Sequence, residues 1–254
     1  MTAPDPMLTG VSNFRDFGGR PSLHGGAVVR GRLFRSGHFN GATRADAMLL
    51  DGLAIGLLVD LRHPIERERA PNRWSPARTL ARDPEPAAGE AGSDPGAYSA
   101  AVGRETMQAT YRRIPHDPRF IPLFTEFFGA LADDVGPVIV HCSAGKDRTG
   151  IVCALVLHAL GVGRSDIFED YLATNQSIDR LARAGHVRAE LEPLHGPLDD
   201  EAIEPLIGVE AGYLLAALDT IEASNGSIDA YVEQVLGVTP PMLARMREHL
   251  LTGA

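Results

Sequence analysis

The sequence predicts an α/β fold in which a central sheet is flanked by helices. Short β-branched runs of strand length alternate with segments whose apolar residues recur every three to four positions, and Gly and Pro punctuate the boundaries. At 254 residues, 44% hydrophobic and 22% charged, the chain can bury a full core. Neither half reads as self-contained, so residues 1–254 are expected to form a single domain.

In chain order, residues 28–34 read as extended. Thr43 is placed to cap a helix through residue 50 that Gly52 ends, and the apolar run 55–61 reads as a buried strand with Asp60 and Arg62 at its C-terminal end. Over 70–103 the composition shifts to Pro, Ala, Gly and charge, which predicts an excursion and a candidate lid; Trp74 within it receives no role. Pro118 and Pro122 suit the first turn of a helix whose apolar face is Ile121, Phe124, Phe127, Phe128 and Leu131. Residues 137–140 form a short β-branched strand, and 149–160 an apolar helix stopped by Gly161. Further helices are expected at 165–172, 210–223, 227–236 and 240–251. No internal repeat is present.

A formal charge of −9 argues against nonspecific nucleic-acid binding, so an anionic substrate must be attracted locally. The N-terminus MTAPDPMLTG lacks the basic cluster and apolar core of a secretory signal, and the apolar stretch 150–163 is too short to cross a bilayer; the expected compartment is the cytoplasm. Two cysteines, Cys142 and Cys153, make neither a disulfide framework nor a four-ligand zinc site. Of 24 basic side chains one is lysine, Lys146.

Lys146 lies in HCSAGKDRTG, residues 141–150, between the predicted strand and the apolar helix. Five residues separate Cys142 from Arg148. That gap lets the backbone curl so that the N–H groups of Ser143, Ala144, Gly145, Lys146, Asp147 and Arg148 converge on a phosphoryl group at a helix N-terminus. Gly145 permits the tight turn, and Arg148 can fork onto two phosphoryl oxygens. The same donors stabilise a thiolate at Cys142, the nucleophile that would form a phosphocysteine. Thr149 is expected to stabilise the sulfur as it leaves, and His141 to orient the loop.

The leaving oxygen needs a proton, and three carboxyl groups qualify. Asp147 is inside the loop; Asp60 ends the neighbouring strand, where it also suits Arg62 or Arg35 as a partner; Asp117 reads as a helix cap. Cys153 reads as a core residue. Lys146 is expected to meet a second anionic group, such as a neighbouring phosphate on an inositol ring. Two other chemistries share the loop: phosphate recognition without catalysis, and thiol-based sulfur transfer or arsenate reduction.

The loop closely resembles that of bacterial tyrosine phosphatases whose activities overlap with phosphoinositide phosphatases. Further similar segments are NFRDFGG at 13–19, LFRSG at 33–37, VDLRHPIER at 59–67, DYLATN at 170–175 and SIDAYVEQVLGV at 227–238, leaving 70–103 and 183–206 unmatched. The resemblance implies a phosphotyrosine-phosphatase-like sheet flanked by helices and catalysis by Cys142 and Arg148 without metal or cofactor. It also implies phosphotyrosine, phosphoserine, phosphothreonine or inositol phospholipid substrates. The Trp-Pro-Asp tripeptide that supplies the acid in many tyrosine phosphatases does not occur here.

Overall fold

A computed structural model describes residues 8–83 and 98–253. Its sheet comprises β1 (Arg15–Asp16), β2 (Leu33–Ser36), β3 (Leu57–Asp60), β4 (Thr79–Leu80) and β5 (Val138–His141) in the spatial order β1-β2-β5-β3-β4. β1 pairs antiparallel with β2 and the other neighbours are parallel. The central β5 is buried along its whole length, which suits its apolar run Val138–Val140 and leaves His141 as a buried polar residue at its end. Its register sets Ser36 and Asp60 on either side of His141, so three strands end together beneath the segment that follows β5.

Helix α1 (Arg44–Gly52) starts at a capping box of Thr43 and Asp46, and α2 (Pro64–Arg69) starts on Pro64 just after β3. Ser99 caps α3 (Ala100–Arg113), which runs through a 3₁₀ turn, Ile114–His116, toward α4 (Ile121–Ala132). After β5 come α5 (Asp147–Ala159), α6 (Arg164–Leu172), α7 (Thr174–Ser177) and α8 (Arg180–His195). The chain closes with α9 (Asp200–Ile207), α10 (Ala211–Asn225), α11 (Ile228–Gln234) and α12 (Pro240–Leu250).

The two-residue period of the strands divides the core. Leu57, Val59, Val138 and Val140 join the apolar residues of α4, α5 and α10, while Phe34, Leu58 and Ile139 pack with Phe39, Leu50 and Trp74 on the opposite face. Each such side chain contributes about 1.5–3 kcal/mol of burial. A third, small cluster of Ala184, Val187, Ile203 and Ile207 joins α8 to α9. Among the described residues no helix is long and apolar enough to cross a membrane.

The structure departs from the sequence expectations in several places, among them helices α8 and α9, which the sequence reading did not expect. The strand expected at 28–34 is confined to Leu33–Ser36, because Gly31 turns at φ 76° and Val28 makes an isolated bridge to Leu251. The apolar helix starts at Asp147 rather than 149, so the loop supplies its first turn. Much of 70–103 is built in: Trp74 is buried with Nε1 donating to Asp51 at 2.9 Å, residues 79–80 form β4, and α3 begins at Ala100. The centre of the candidate lid, residues 84–97, lies outside the described residues.

Candidate active site

Between His141 and α5 the backbone turns over the end of β2. Gly145 makes this possible at φ 68°; a Cβ there would come within 2.3 Å of the Ser36 carbonyl oxygen. The loop's carbonyls are tied outward. Ser143 O accepts from the His38 amide at 3.1 Å, Ala144 O and Gly145 O accept from Asn13 Nδ2 at 3.1 and 2.8 Å, and Arg35 Nη2 also donates to Gly145 O at 2.9 Å. In a planar peptide a carbonyl and the following N–H point in opposite directions, so anchoring these three carbonyls turns the amides of residues 144–146 the other way. Among the described residues the amides of residues 143–148 donate to no acceptor, at the positive end of a 13-residue helix.

The anchors are themselves held by a buried ionic cluster. Asp170 accepts from Arg35 Nη1 at 2.6 Å and Arg15 Nε at 3.1 Å, and Arg15 also reaches Thr174 and Asn13. Burial would raise the Asp170 carboxyl, but Arg35 and Arg15 hold it below the ordinary carboxylate range. Asn13 sits at φ 58°, a conformation that lets its amide reach two loop carbonyls at once.

Arg148 meets Glu66 two-pronged, Nη1 to Oε2 at 2.6 Å and Nη2 to Oε1 at 2.7 Å, and Nη1 also donates to Leu61 O at 3.0 Å. Its guanidinium lies 5.9 Å from the Phe120 ring centroid. Glu66 further accepts from the Ser143 hydroxyl and from the His63 amide. Burial opposes the charge on Glu66, yet the Arg148 bonds outweigh it and bring the carboxyl down to about 2. The same pair, with Cys142 nearby, holds the guanidinium's pKa above its ordinary value against burial.

The three candidate acids occupy different surroundings. Asp147 lies at the start of α5, its Oδ1 accepting from Tyr111 at 2.8 Å and Lys146 Nζ at 3.0 Å. Burial raises its pKa, but Lys146 and then Tyr111 bring it below the ordinary value. Asp60 is buried and chelated by Arg62, Nε to Oδ1 at 2.9 Å and Nη2 to Oδ2 at 2.7 Å. Its pKa too is low despite burial, held there by His141 and Arg62. Asp117 behaves as expected of a cap in the turn that leads into α4: its Oδ1 accepts from the Arg119 backbone amide at 2.9 Å and its carbonyl from the Phe120 and Ile121 amides, while the Arg119 guanidinium bonds the same carboxylate at 2.6–3.1 Å.

Lys146 is paired inside the protein. Its ammonium is 1% exposed and committed to Asp147 and to the Gly208 carbonyl at 3.3 Å.

His141 places Nδ1 3.1 Å from the Cys142 carbonyl and Nε2 3.2 Å from the Asn72 amide, a bonding role at the base of the loop. Cys142 is 2% exposed. The Thr149 hydroxyl is buried and makes no hydrogen bond among the described residues. Cys153 packs in the α5 core, where burial pushes its thiol up to about 12.

Sequence reasoning singled out the loop but missed most of what holds it. Asn13, Arg15, Arg35, Glu66 and Asp170 all lie in the segments noted for their resemblance, which was the available signal. Tyr111, in α3, carried none.

Residues 6–252 match the Tyrosine phosphatase family. A tyrosine-protein phosphatase relative from Cupriavidus necator is 32% identical over 96% of this chain and 87% of its own length. The triple specificity protein phosphatase PtpB of Mycobacterium tuberculosis is 31% identical over 96% of this chain and 98% of its own length. Among solved structures, the human tyrosine phosphatase-like serine/threonine/tyrosine-interacting protein aligns with 76% of this chain and 92% of its own, at 15% identity and a TM-score of 0.38. With the family matched across nearly its entire length, the chain belongs to the tyrosine phosphatase family.

Proposed function

We propose that this phosphatase hydrolyses phosphotyrosine, and also phosphoserine, phosphothreonine and inositol phospholipid monoesters, through a phosphocysteine on Cys142. The observation that carries this reading is the set of unaccepted amides at residues 143–148, gathered beside Cys142 with Arg148 held in place by Glu66. Those amides and the Arg148 fork receive the phosphoryl oxygens. The Cys142 thiolate attacks phosphorus, the S–P bond forms and the P–O bond to the leaving group breaks, while the proton of Asp147 passes to the leaving oxygen. Water then attacks phosphorus and gives its proton to the Asp147 carboxylate. The S–P bond breaks, Thr149 donates to the departing thiolate, and inorganic phosphate is released.

Asp147 is the acid in this scheme and Asp60 a positioning group, because Arg62 already occupies both Asp60 oxygens. An incoming phosphate dianion beside Asp147 offsets the effect of Lys146 and favours the protonated carboxyl. Breadth of substrate is supported by the similarity to a relative named for triple specificity. A nucleophilic thiol is preserved in a reducing compartment, which supports action in the cytoplasm.

The test is turnover of p-nitrophenyl phosphate together with mass analysis of acid-quenched enzyme. Phosphate release and a phosphoryl adduct on Cys142 are expected, with Cys142→Ser losing more than about a hundredfold in turnover while still binding phosphate. A pure recognition module would bind without turnover. A sulfurtransferase or arsenate reductase would form no phosphoryl adduct.

A further inference from the structure

Tyr111 is fully buried, its ring packed against those of Tyr171 and Tyr213. Its hydroxyl stands in a directed chain: Tyr171 donates to Tyr111 at 2.7 Å, and Tyr111 donates to Asp147 Oδ1 at 2.8 Å. Lys146 reaches the same oxygen, so two donors converge on Oδ1, and among the described residues no donor reaches Oδ2. A carboxyl with one oxygen occupied by two donors carries its proton on the other. Resting on the reading of Asp147 as the acid, we infer that Tyr111 is a positioning residue for proton transfer. Its hydroxyl sets the rotation of the Asp147 carboxyl and leaves Oδ2 to deliver the proton to the leaving oxygen.

The chain is built to keep donating. Burial, with Asp147 close by, holds both tyrosine hydroxyls well above their ordinary value of 10, so neither ionises in the working range. The donation from Tyr171 polarises the second bond and strengthens it. The charged and titratable groups bearing on Asp147 are Lys146 and Arg148 from its own segment, Tyr111 from α3, Tyr171 from α6, Arg183 from α8 and Tyr213 from α10. Among the described residues only Tyr111 and Lys146 hydrogen-bond to its carboxylate.

Tyr111→Phe keeps the ring and removes the hydroxyl. Protonation of the leaving group matters most for a poor leaving group, so kcat on phenyl phosphate is expected to fall by about tenfold and on p-nitrophenyl phosphate by less than about threefold, with KM little changed. Losing a donor to the carboxylate favours its protonated form, so the basic limb of the kcat profile moves to higher pH. In an Asp147→Asn background the same change should cost nothing further, because Tyr111 acts through that carboxyl. Tyr171→Phe, one bond removed, should follow in the same direction by a smaller factor and reads the chain even where Tyr111→Phe lowers the yield of folded protein. Asp147→Asn on its own is the control for the acid: equal losses on the two esters would overturn the acid and the inference together. If Asp147→Asn discriminates between the esters while the tyrosine variants do not, or if Tyr111→Phe adds its full loss to that of Asp147→Asn, the acid stands and the positioning role is overturned.

Discussion

Glu66 and Arg148 face one another across a bidentate ion pair, 2.6 and 2.7 Å, although they stand 82 residues apart in the chain. The pair fixes the guanidinium fork before any phosphate arrives. Glu66→Gln removes one charge-assisted partner, worth about 1.5–3 kcal/mol, so kcat/KM should fall roughly ten- to a hundredfold with every phosphate ester alike. The pH dependence follows from the sign of the shift. Glu66 drops from an ordinary value of 4.5 to about 2 on folding, so its contribution to stability is complete above 4.5 and disappears as pH falls toward 2. Melting curves of wild type and Glu66→Gln should therefore differ by a constant amount above pH 5 and converge below pH 4; a gap that persisted into acid would contradict the pairing.

Gly145→Ala tests the turn itself. A methyl group 2.3 Å from the Ser36 carbonyl cannot be absorbed by the buried strand β2, so the loop must shift. A displacement of about 1 Å at reacting groups costs on the order of a hundredfold in rate. Circular dichroism should show the fold retained while turnover falls by that factor, and activity within threefold of wild type would contradict the geometry.

Asp170→Asn addresses the floor beneath the loop. Neutralising it leaves Arg15 and Arg35 buried against one another, and breaking a buried pair costs about 3–5 kcal/mol. For a domain of this size that lowers Tm by roughly 6–20 °C. A melting temperature within 2 °C of wild type would mean that the cluster is solvated.

Asp60→Asn should be blind to the leaving group. Its carboxylate is spent on Arg62, so the variant is expected to lower phenyl phosphate and p-nitrophenyl phosphate turnover by the same factor and to lower Tm. Selective loss on phenyl phosphate would move the acid from Asp147 to Asp60.

Lys146→Met removes a buried ammonium whose partners are Asp147 and the Gly208 carbonyl. Activities on a phosphotyrosine peptide and on a polyphosphorylated inositide should fall in parallel. A loss at least about tenfold greater on the inositide would show the ammonium reaching a second phosphate after all.

The sequence by itself determined the elements whose signals are local. Thr43 caps a helix, the β-branched run at 137–140 reads as a strand, and a cysteine followed by an arginine after five residues between strand and helix points to an anion cradle. Spacing along the chain is enough for such statements because each involves neighbours within one turn or one strand. The tertiary structure alone decided which distant side chains hold that cradle. Asn13 meets Gly145 from 132 residues away and Arg35 from 110. Tyr111 meets Asp147 across 36 residues, between helices whose separation no periodicity encodes. It also paired Lys146, whose partner is not legible from the sequence, with Asp147 in the interior. Sequence records which charges are present; burial and partners decide which of them a ligand can meet, because a charge already paired in a low-dielectric interior has little left to offer.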